Sequence, residues 1–451
     1  MDVNNPEINT VKSKLFVPEE FKPAGTKRDI ALLFTTRIIR LFAYGFLSVV
    51  MVLYLSEIGL KDHEIGLLLS LTLTGDVGVS LWVTTFADRM GRKRMLISGA
   101  ILMVLAGMVF VFTKNPIFLT IAAIIGIISP TGNEIGPFLS IEQAVLSQLV
   151  DDHKRTSVFG WYNLAGSFAT ATGALCSGWM AALLEQSTFA PVEAYRIILI
   201  CYALSGFLLI LFFAGLSPAV EVSGIHEVEA ANMPDAASAC SQADHAGNNR
   251  LTIYGMGLHR SRSIVIKLSA LFALDAFAGG FIVQSMMAYW FHIKFGIDTG
   301  ILGSILFGAN IFAGISALLA VRIAKHIGLV KTMVFTHIPS NILLCAIPLM
   351  PNLESAIVVL LLRASISQMD VPTRQSYTMA VVAPDERTAA SGITNIARSV
   401  GASCSPVLTG FLIANPLLFS MPFFLAGGLK IIYDLSLYHM FQSIKPPEES
   451  S

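Results

Sequence analysis

An all-α integral membrane protein, with twelve transmembrane helices in two pseudo-symmetric halves of six, is predicted by three observations. The chain is too apolar for a soluble domain, it holds twelve runs long enough to cross a bilayer, and part of its first half recurs in its second. Hydrophobic residues make up 54% and charged residues only 13%, where soluble domains carry about 25% charged residues. The mean hydropathy of +0.68 agrees. A formal net charge of zero offers no basic surplus for nucleic acid.

Spans of roughly 20 residues are needed to cross about 30 Å of hydrocarbon. They fall at 30-57, 64-86, 95-113, 117-149, 157-184, 192-216, 264-293, 298-323, 332-350, 353-382, 389-414 and 416-441. The organisation that follows is a polar N-terminal tail (1-29), an N-terminal six-helix half (30-216), a central linker (217-263), a C-terminal six-helix half (264-441) and a short tail (442-451). The linker is rich in Ala, Ser, Asn, Asp and Glu without apolar period, which marks a flexible connection. No cleavable signal peptide is expected, because the first apolar run is a full span behind a long polar segment.

Lys and Arg crowd the loops on the side of the N-terminus, whereas the opposite side holds Lys61, Lys114, Arg196 and Lys294. That bias puts both termini and the linker in the cytoplasm. A shift of 232 residues pairs Arg155-Thr156 with Arg387-Thr388, Gly160 with Gly392, Asn163 with Asn395 and Gly178 with Gly410. The same shift sets Glu142 against Arg374. Such a parallel repeat relates two halves about an axis along the membrane normal.

Charges within apolar runs are costly and mark partners or wet cavities. Arg40, ten residues into the first span, lies about 15 Å deep at 1.5 Å per residue, and Asp275 is similarly deep in the seventh. Both are read as facing a shared substrate and coupling site. Asp76, Glu134, Arg363 and Asp370 are further candidates for substrate or proton binding. Glu134 sits in Ser129-Pro130-Thr131-Gly132-Asn133-Glu134-Ile135-Gly136-Pro137, where prolines remove backbone donors and glycines add freedom, so a kink or unwound stretch is expected. Paired Gly279 and Gly280 are expected to loosen the seventh span. Glu142 and Arg374 are read as a cytoplasmic gate between the halves, the rival pairing being with loop charges of their own half. Lys430 and Asp434, four apart, share a helix face and are expected to neutralise each other. Arg37 is read as snorkelling to the surface, and Trp82, Trp161, Trp179, Tyr289, Trp290 and Phe291 as interfacial anchors or packing.

Between the second and third spans stands Asp88-Arg89-Met90-Gly91-Arg92-Lys93. It resembles the signature loop of the major facilitator superfamily of secondary transporters, with Thr84 where that family usually has glycine. Ala324-Lys325-His326-Ile327-Gly328 falls where a degenerate second copy belongs. Arg363 looks like the family's span-four arginine transposed to the second half, since span four itself has Thr131. The Gly-Pro pair of family antiporters is missing from span five, its nearest counterpart being Ser405-Pro406. The resemblance implies alternating access around a midplane site, with Asp88, Arg89, Gly91, Arg92 and Lys93 as a conformational latch.

The expected function is secondary active transport of a small solute, most simply proton-coupled efflux of a drug-like or metabolic compound. Proton-coupled or facilitated uptake is the alternative, and a transport-fold receptor or flippase a remoter one. The expected partners are a small-molecule substrate, protons and the lipid bilayer; a monomer in the plasma (inner cell) membrane is expected. No phosphate-binding loop, paired histidine ligands, Gly-x-Ser-x-Gly or HExxH occurs in the spans, so neither an enzyme nor an ATP-driven pump is expected. The five cysteines form no CxxC pair, and no cofactor or metal is expected.

Overall fold

The computed structural model describes residues 26–126, 128–132, 137–150, 152–187, 189–221, 260–383 and 386–442, the side chains of 26, 83–89, 137, 152–157, 321, 325 and 388 excepted. Within these residues the regular structure is helical throughout. The first set comprises α1 (Thr26–Glu57), α2 (Asp62–Met90), α3 (Arg92–Phe112), α4 (Pro116–Ile125), α5 (Pro137–Leu149), α6 (Asp152–Gln186) and α7 (Pro191–Ala214). The second set comprises α8 (Arg262–Gly280), α9 (Gln284–Phe295), α10 (Thr299–Ile327), α11 (Leu329–Ala346), α12 (Leu353–Ser367), α13 (Asp370–Val381), α14 (Arg387–Ile413) and α15 (Met421–Phe441). Ten segments among the described residues are long and apolar enough to cross a membrane, and α4 is a shorter apolar helix.

Three spans are broken in two, each where the chain loses the means to continue a helix. α4 stops at Ile125 and α5 starts at Pro137, and of the residues between them those described, 126 and 128–132, are not helical. The seventh breaks between Gly280 and Gln284, just past the paired glycines, and the tenth between Ser367 and Asp370. Non-helical backbone at this depth needs protein or water to satisfy it. Ser285 does so across the sets, its amide donating to the Pro130 carbonyl at 3.3 Å.

The two sets meet along α2 against α14 and α6 against α10. Glycines set these crossings. A methyl on Gly178 of α6 would fall 2.7 Å from the Gly303 Cα of α10, and one on Gly66 of α2 would fall 2.9 Å from the Gly410 Cα of α14. Small residues let helix backbones approach in this way, and the repeated pair Gly178 and Gly410 takes equivalent places in the two crossings. Both lie toward the end of the molecule away from the linker, here called the far end. The far-end contacts continue with Tyr289 Oη donating to Asp62 Oδ1 at 2.9 Å and the Val407 amide donating to Ser70 Oγ at 2.8 Å.

Gly91 and Gly328 occupy equivalent turns at the linker end, between α2 and α3 and between α10 and α11. Both have positive φ, 95° and 88°, a region that favours glycine. This common backbone explains why Gly328 persists in a loop that has lost the aspartate of its counterpart.

The aromatic residues divide by burial. Trp82, Trp161 and Trp179 are exposed, as lipid-facing anchors require, whereas Trp290 is buried. Its ring centroid lies 4.4 Å from that of Phe423, and it stacks on Phe419 at 6.0 Å.

Candidate functional site

Seven of the intramembrane charges fall into two groups, Arg40 and Glu142 in the first set of helices and Asp275, Asp370, Arg374, Lys430 and Asp434 in the second. In the first, Arg40 of α1 forms a bidentate pair with Glu142 of α5, Nη1 to Oε1 at 2.7 Å and Nη2 to Oε2 at 2.6 Å. Neither side chain has measurable exposure. Tyr162 of α6 donates its hydroxyl to Glu142 Oε2, and Thr36 Oγ1 donates to Oε1 at 3.3 Å. The Arg40 guanidinium lies over the Phe138 ring, 4.6 Å from its centroid. Two parallel N–H···O bonds are the strongest neutralisation available to a buried carboxylate, and the aromatic face shields the cation.

In the second group Asp275 of α8 is shared by two cations. Arg374 of α13 donates to Oδ2 at 2.9 Å and Lys430 of α15 to Oδ1 at 2.6 Å. Arg374 also pairs with Asp370, one turn earlier on its own helix, at 3.0 Å. Four residues along α15 from Lys430, Asp434 accepts from Asn341 at 3.0 Å and lies 2.8 Å from Nδ1 of His337, both on α11.

Several sequence expectations are corrected by this geometry. Glu142 and Arg374 do not pair with each other: each closes an ion pair inside its own half, Glu142 with Arg40 and Arg374 with Asp275 and Asp370. Arg40 and Asp275 likewise have separate partners and do not share one site. Lys430 and Asp434 turn to α8 and α11 instead of neutralising each other, because those helices bring closer partners than the shared face does. Arg37 does not snorkel. It is buried, donates to the Tyr162 carbonyl at 2.8 Å and to Asn163 Oδ1 at 3.1 Å, and lies over the Tyr162 ring.

Asp76 is 1% exposed on α2, and neither carboxylate oxygen has a hydrogen-bond partner among the described residues. Arg363 of α12 is part-buried, and its Nε has no partner among the described residues. Glu134 and the side chains of Asp88 and Arg89 lie outside the described residues. Of the signature loop, Gly91, Arg92 and Lys93 are described, and they grip the chain just beyond α7. Glu221 accepts from the backbone amides of Arg92 at 2.7 Å and Lys93 at 3.2 Å, capping the N-terminus of α3. Lys93 Nζ donates to the Leu216 carbonyl at 2.8 Å, and Arg92 to Gln148 Oε1 of α5 at 2.9 Å. Glu386 holds the residues just before α8, accepting from the amides of Arg260 at 2.8 Å and Ser261 at 2.9 Å.

Uncharged residues missed at the sequence level join the two sets at mid-depth. Gln284 opens α9, donates to Ser48 Oγ of α1 at 2.8 Å and accepts from Asn310 of α10 at 3.3 Å. Beside it the Thr170 hydroxyl of α6 donates to the Gly132 carbonyl at 3.3 Å. A lone Gln or Asn in an apolar run carries no charge to flag it; for Gln284 the available signal was its place just after the Gly279-Gly280 break.

The family model of the Major Facilitator Superfamily matches residues 33–406, and again 269–451. The chain belongs to the major facilitator superfamily. Like other members of this superfamily it is a multi-pass membrane transporter of small solutes and not an enzyme. An uncharacterized membrane protein of Saccharomyces cerevisiae, YJR124C, is 32% identical over 439 residues, covering 94% of this chain and 96% of its own. Among solved structures the chain resembles the partially occluded inward-open xylose transporter XylE from E. coli, with TM-score 0.68 and 13% identity over 94% of this chain and 100% of that one. It also resembles the nucleoside transporter NupG, with TM-score 0.66 and 14% identity over 92% and 99%. A bacterial homologue of the human lysosomal transporter Spinster, in an inward-facing occupied conformation, gives TM-score 0.68 and 14% identity over 93% and 97%. These likenesses show a shared all-α fold, and in this chain the fourth, seventh and tenth spans are broken.

Proposed function

We propose that this superfamily member is a secondary active transporter that exchanges a small polar organic solute for protons by alternating access, in the direction of efflux. The observation that carries the reading is Asp275, a buried carboxylate held by one cation from α13 and another from α15. A carboxylate gripped by two flexible partners has an oxygen to offer a solute when one of them leaves. The ion pairs described above each close within one half, while the far-end contacts between the halves are single hydrogen bonds, Tyr289 to Asp62, the Val407 amide to Ser70 and the Trp179 indole to Ser304. Halves joined in that way can separate without breaking a buried ion pair, which is what rocking requires.

In this reading both termini and the linker face the cytoplasm of a plasma-membrane protein that works as a monomer, and the far-end crossings close the outer mouth. Asp88 with Arg89, Gly91, Arg92 and Lys93 forms the latch of the opposite state. Asp88→Ala then shifts the population toward the inward-facing form, and unchanged labelling of cysteines placed on the two faces counts against the latch.

Uptake by symport or facilitation is the second reading, favoured by the uncharged cluster of Ser48, Gln284 and Asn310. Amides and hydroxyls from both halves suit a neutral, hydroxyl-rich solute.

The test is internal pH in sealed vesicles holding the purified protein, while pentoses, hexoses, nucleosides and organic amines are added across an imposed gradient. Solute entry with proton exit supports exchange, and co-entry supports symport. Solute flux without proton movement removes proton coupling. In a coupled protein, Asp275→Asn abolishes uphill movement; unchanged uphill transport removes Asp275 from the mechanism.

A further inference from the structure

Two carboxylates in the second set compete for one lysine. Lys430 and Asp434 lie one turn apart on α15, a spacing at which opposite charges meet readily, yet Lys430 Nζ is 2.6 Å from Asp275 Oδ1 on α8. Asp434 is left to His337 at 2.8 Å and to the Asn341 amide at 3.0 Å. All three members of this second site are closed off, His337 at 4% exposure and Asp434 and Asn341 at 0%. The two sites are in electrostatic contact: the Lys430 charge reaches Asp434 and the His337 charge reaches Asp275.

We propose that His337, Asp434 and Asn341 form a proton-binding site between α11 and α15, and that its occupancy decides whether Lys430 sits on Asp275 or on Asp434. The proposal rests on the exchange reading above and adds to it the place where the proton is carried.

With an imidazolium at His337, Asp434 has a full counter-charge and Lys430 stays on Asp275. When His337 gives up its proton to water, Asp434 keeps its negative charge but holds only neutral hydrogen bonds. A buried carboxylate in that condition draws the nearest cation. That cation is Lys430, which needs only a change of rotamer within its own helix turn. Its departure empties Asp275 Oδ1, while Arg374 still holds Oδ2. The vacated oxygen takes an N–H or O–H donor of the solute. Proton and solute therefore exclude each other through Lys430, and each weakens the other's binding by the same factor.

The other charges around His337 fit this division. The Tyr433 ring stands nearly perpendicular to the imidazole, at 87°, with centroids 6.0 Å apart. α13 contributes Arg374 and Asp370, which neutralise each other in part. The other cations of these helices are Arg262 and Lys267 on α8, Arg322 toward the linker end of α10, Lys331 on α11, Arg363 on α12, and Arg387 and Arg398 on α14, and none of them pairs with Asp434 among the described residues. Lys430 is thus the cation that touches Asp275 and lies one turn from Asp434 on its own helix.

The test is the titration of His337, followed by its ring 15N resonance in full-length protein in lipid nanodiscs and assigned by its loss in His337→Gln. Asp275→Asn releases Lys430 to Asp434, so the titration midpoint falls by about half a pH unit or more. In a Lys430→Gln background the same Asp275→Asn change leaves only the smaller through-space part of that fall, and in a Lys430→Arg background the full fall returns. An equal fall with and without the lysine means that Asp275 acts through space and overturns the switch; so does no fall in either. Lys430→Met, which keeps the aliphatic stem, replaces the Gln variant if that one fails to fold. These midpoints need no solute, so they stand apart from the vesicle experiment. Proton exchange that survives His337→Gln sinks this inference and leaves the transport reading intact, whereas vesicles without proton flux sink that reading whatever His337 does.

Discussion

Glu142 and Arg374 stand 232 residues apart at equivalent places of the two halves and carry opposite charges, and each answers to the first helix of its own half. Glu142 takes Arg40 from α1, and Arg374 takes Asp275 from α8. The repeat has thus kept a charged bond between corresponding helices while exchanging its sign. The two versions differ in how fully they are closed. Glu142 has a guanidinium on both oxygens, with a tyrosine and a threonine hydroxyl added. Asp275 shares its oxygens between two separate cations, each with a second carboxylate one turn away on its own helix, Asp370 for Arg374 and Asp434 for Lys430. The first version is a brace, and the second has somewhere to go.

If the Arg40–Glu142 pair is a brace, removing its negative member takes both charge-assisted bonds of that pair from a buried guanidinium. Such losses cost roughly 3–5 kcal/mol. Glu142→Gln is expected to lower the melting temperature of the detergent-solubilised protein markedly, and Arg40→Met combined with Glu142→Met to recover most of it. An unchanged melting temperature in Glu142→Gln would show that Arg40 has another counter-charge.

The sequence made the spans, the repeat and the broken fourth span legible, because apolar length, glycine and proline act locally. Even the Gly178 and Gly410 crossings were visible as a repeated pair, although not what they touch. Partnership was not legible. Lys430 and Asp434 obey the four-residue spacing rule, but packing of α8 and α11 against α15 supplies nearer partners. His337, Asn341 and Gln284 were passed over because, inside apolar runs, an uncharged polar residue looks like any other tolerated polar side chain. Only their contacts across helices distinguish them.

The glycine crossings bear on which mouth is closed. Leucine at Gly178 or Gly410 has no room against the facing backbone, so the far-end contact must loosen. A cysteine at Val52, buried beside Tyr289 and Ile413, reports this in a chain whose own cysteines are replaced by serine. Labelling from the far side is expected to rise roughly tenfold in Gly178→Leu, equivalent to about 1.4 kcal/mol lost from the closed contact. Equal labelling in both proteins would mean that the crossing does not hold the mouth shut.

Glu221 joins the signature loop to the start of the linker through the first amides of α3. A carboxylate at a helix N-terminus satisfies orphan donors and favours the helix dipole, a contribution of about 1 kcal/mol. Glu221→Ala should therefore speed hydrogen exchange at the Arg92 and Lys93 amides about fivefold, with little change deep in α3. Protection that persists in the variant would assign the capping to another group and free the linker from the loop.

Asp76 presents the opposite case to Glu142, since its buried carboxylate has no hydrogen bond among the described residues. Tyr202 of α7 lies within electrostatic reach, but no donor among the described residues meets either oxygen. An unsatisfied buried acceptor costs about 1–3 kcal/mol and more when charged, so the fold gains nothing evident from this residue. Asp76→Leu is accordingly expected to raise the melting temperature, which measures the strain directly. Retention of such a group is explained if it takes up a proton or a solute donor during the cycle, and the same variant should then lose solute flux in vesicles. A lower melting temperature would instead make Asp76 structural. A higher one with undiminished flux would leave it stabilising nothing and carrying nothing.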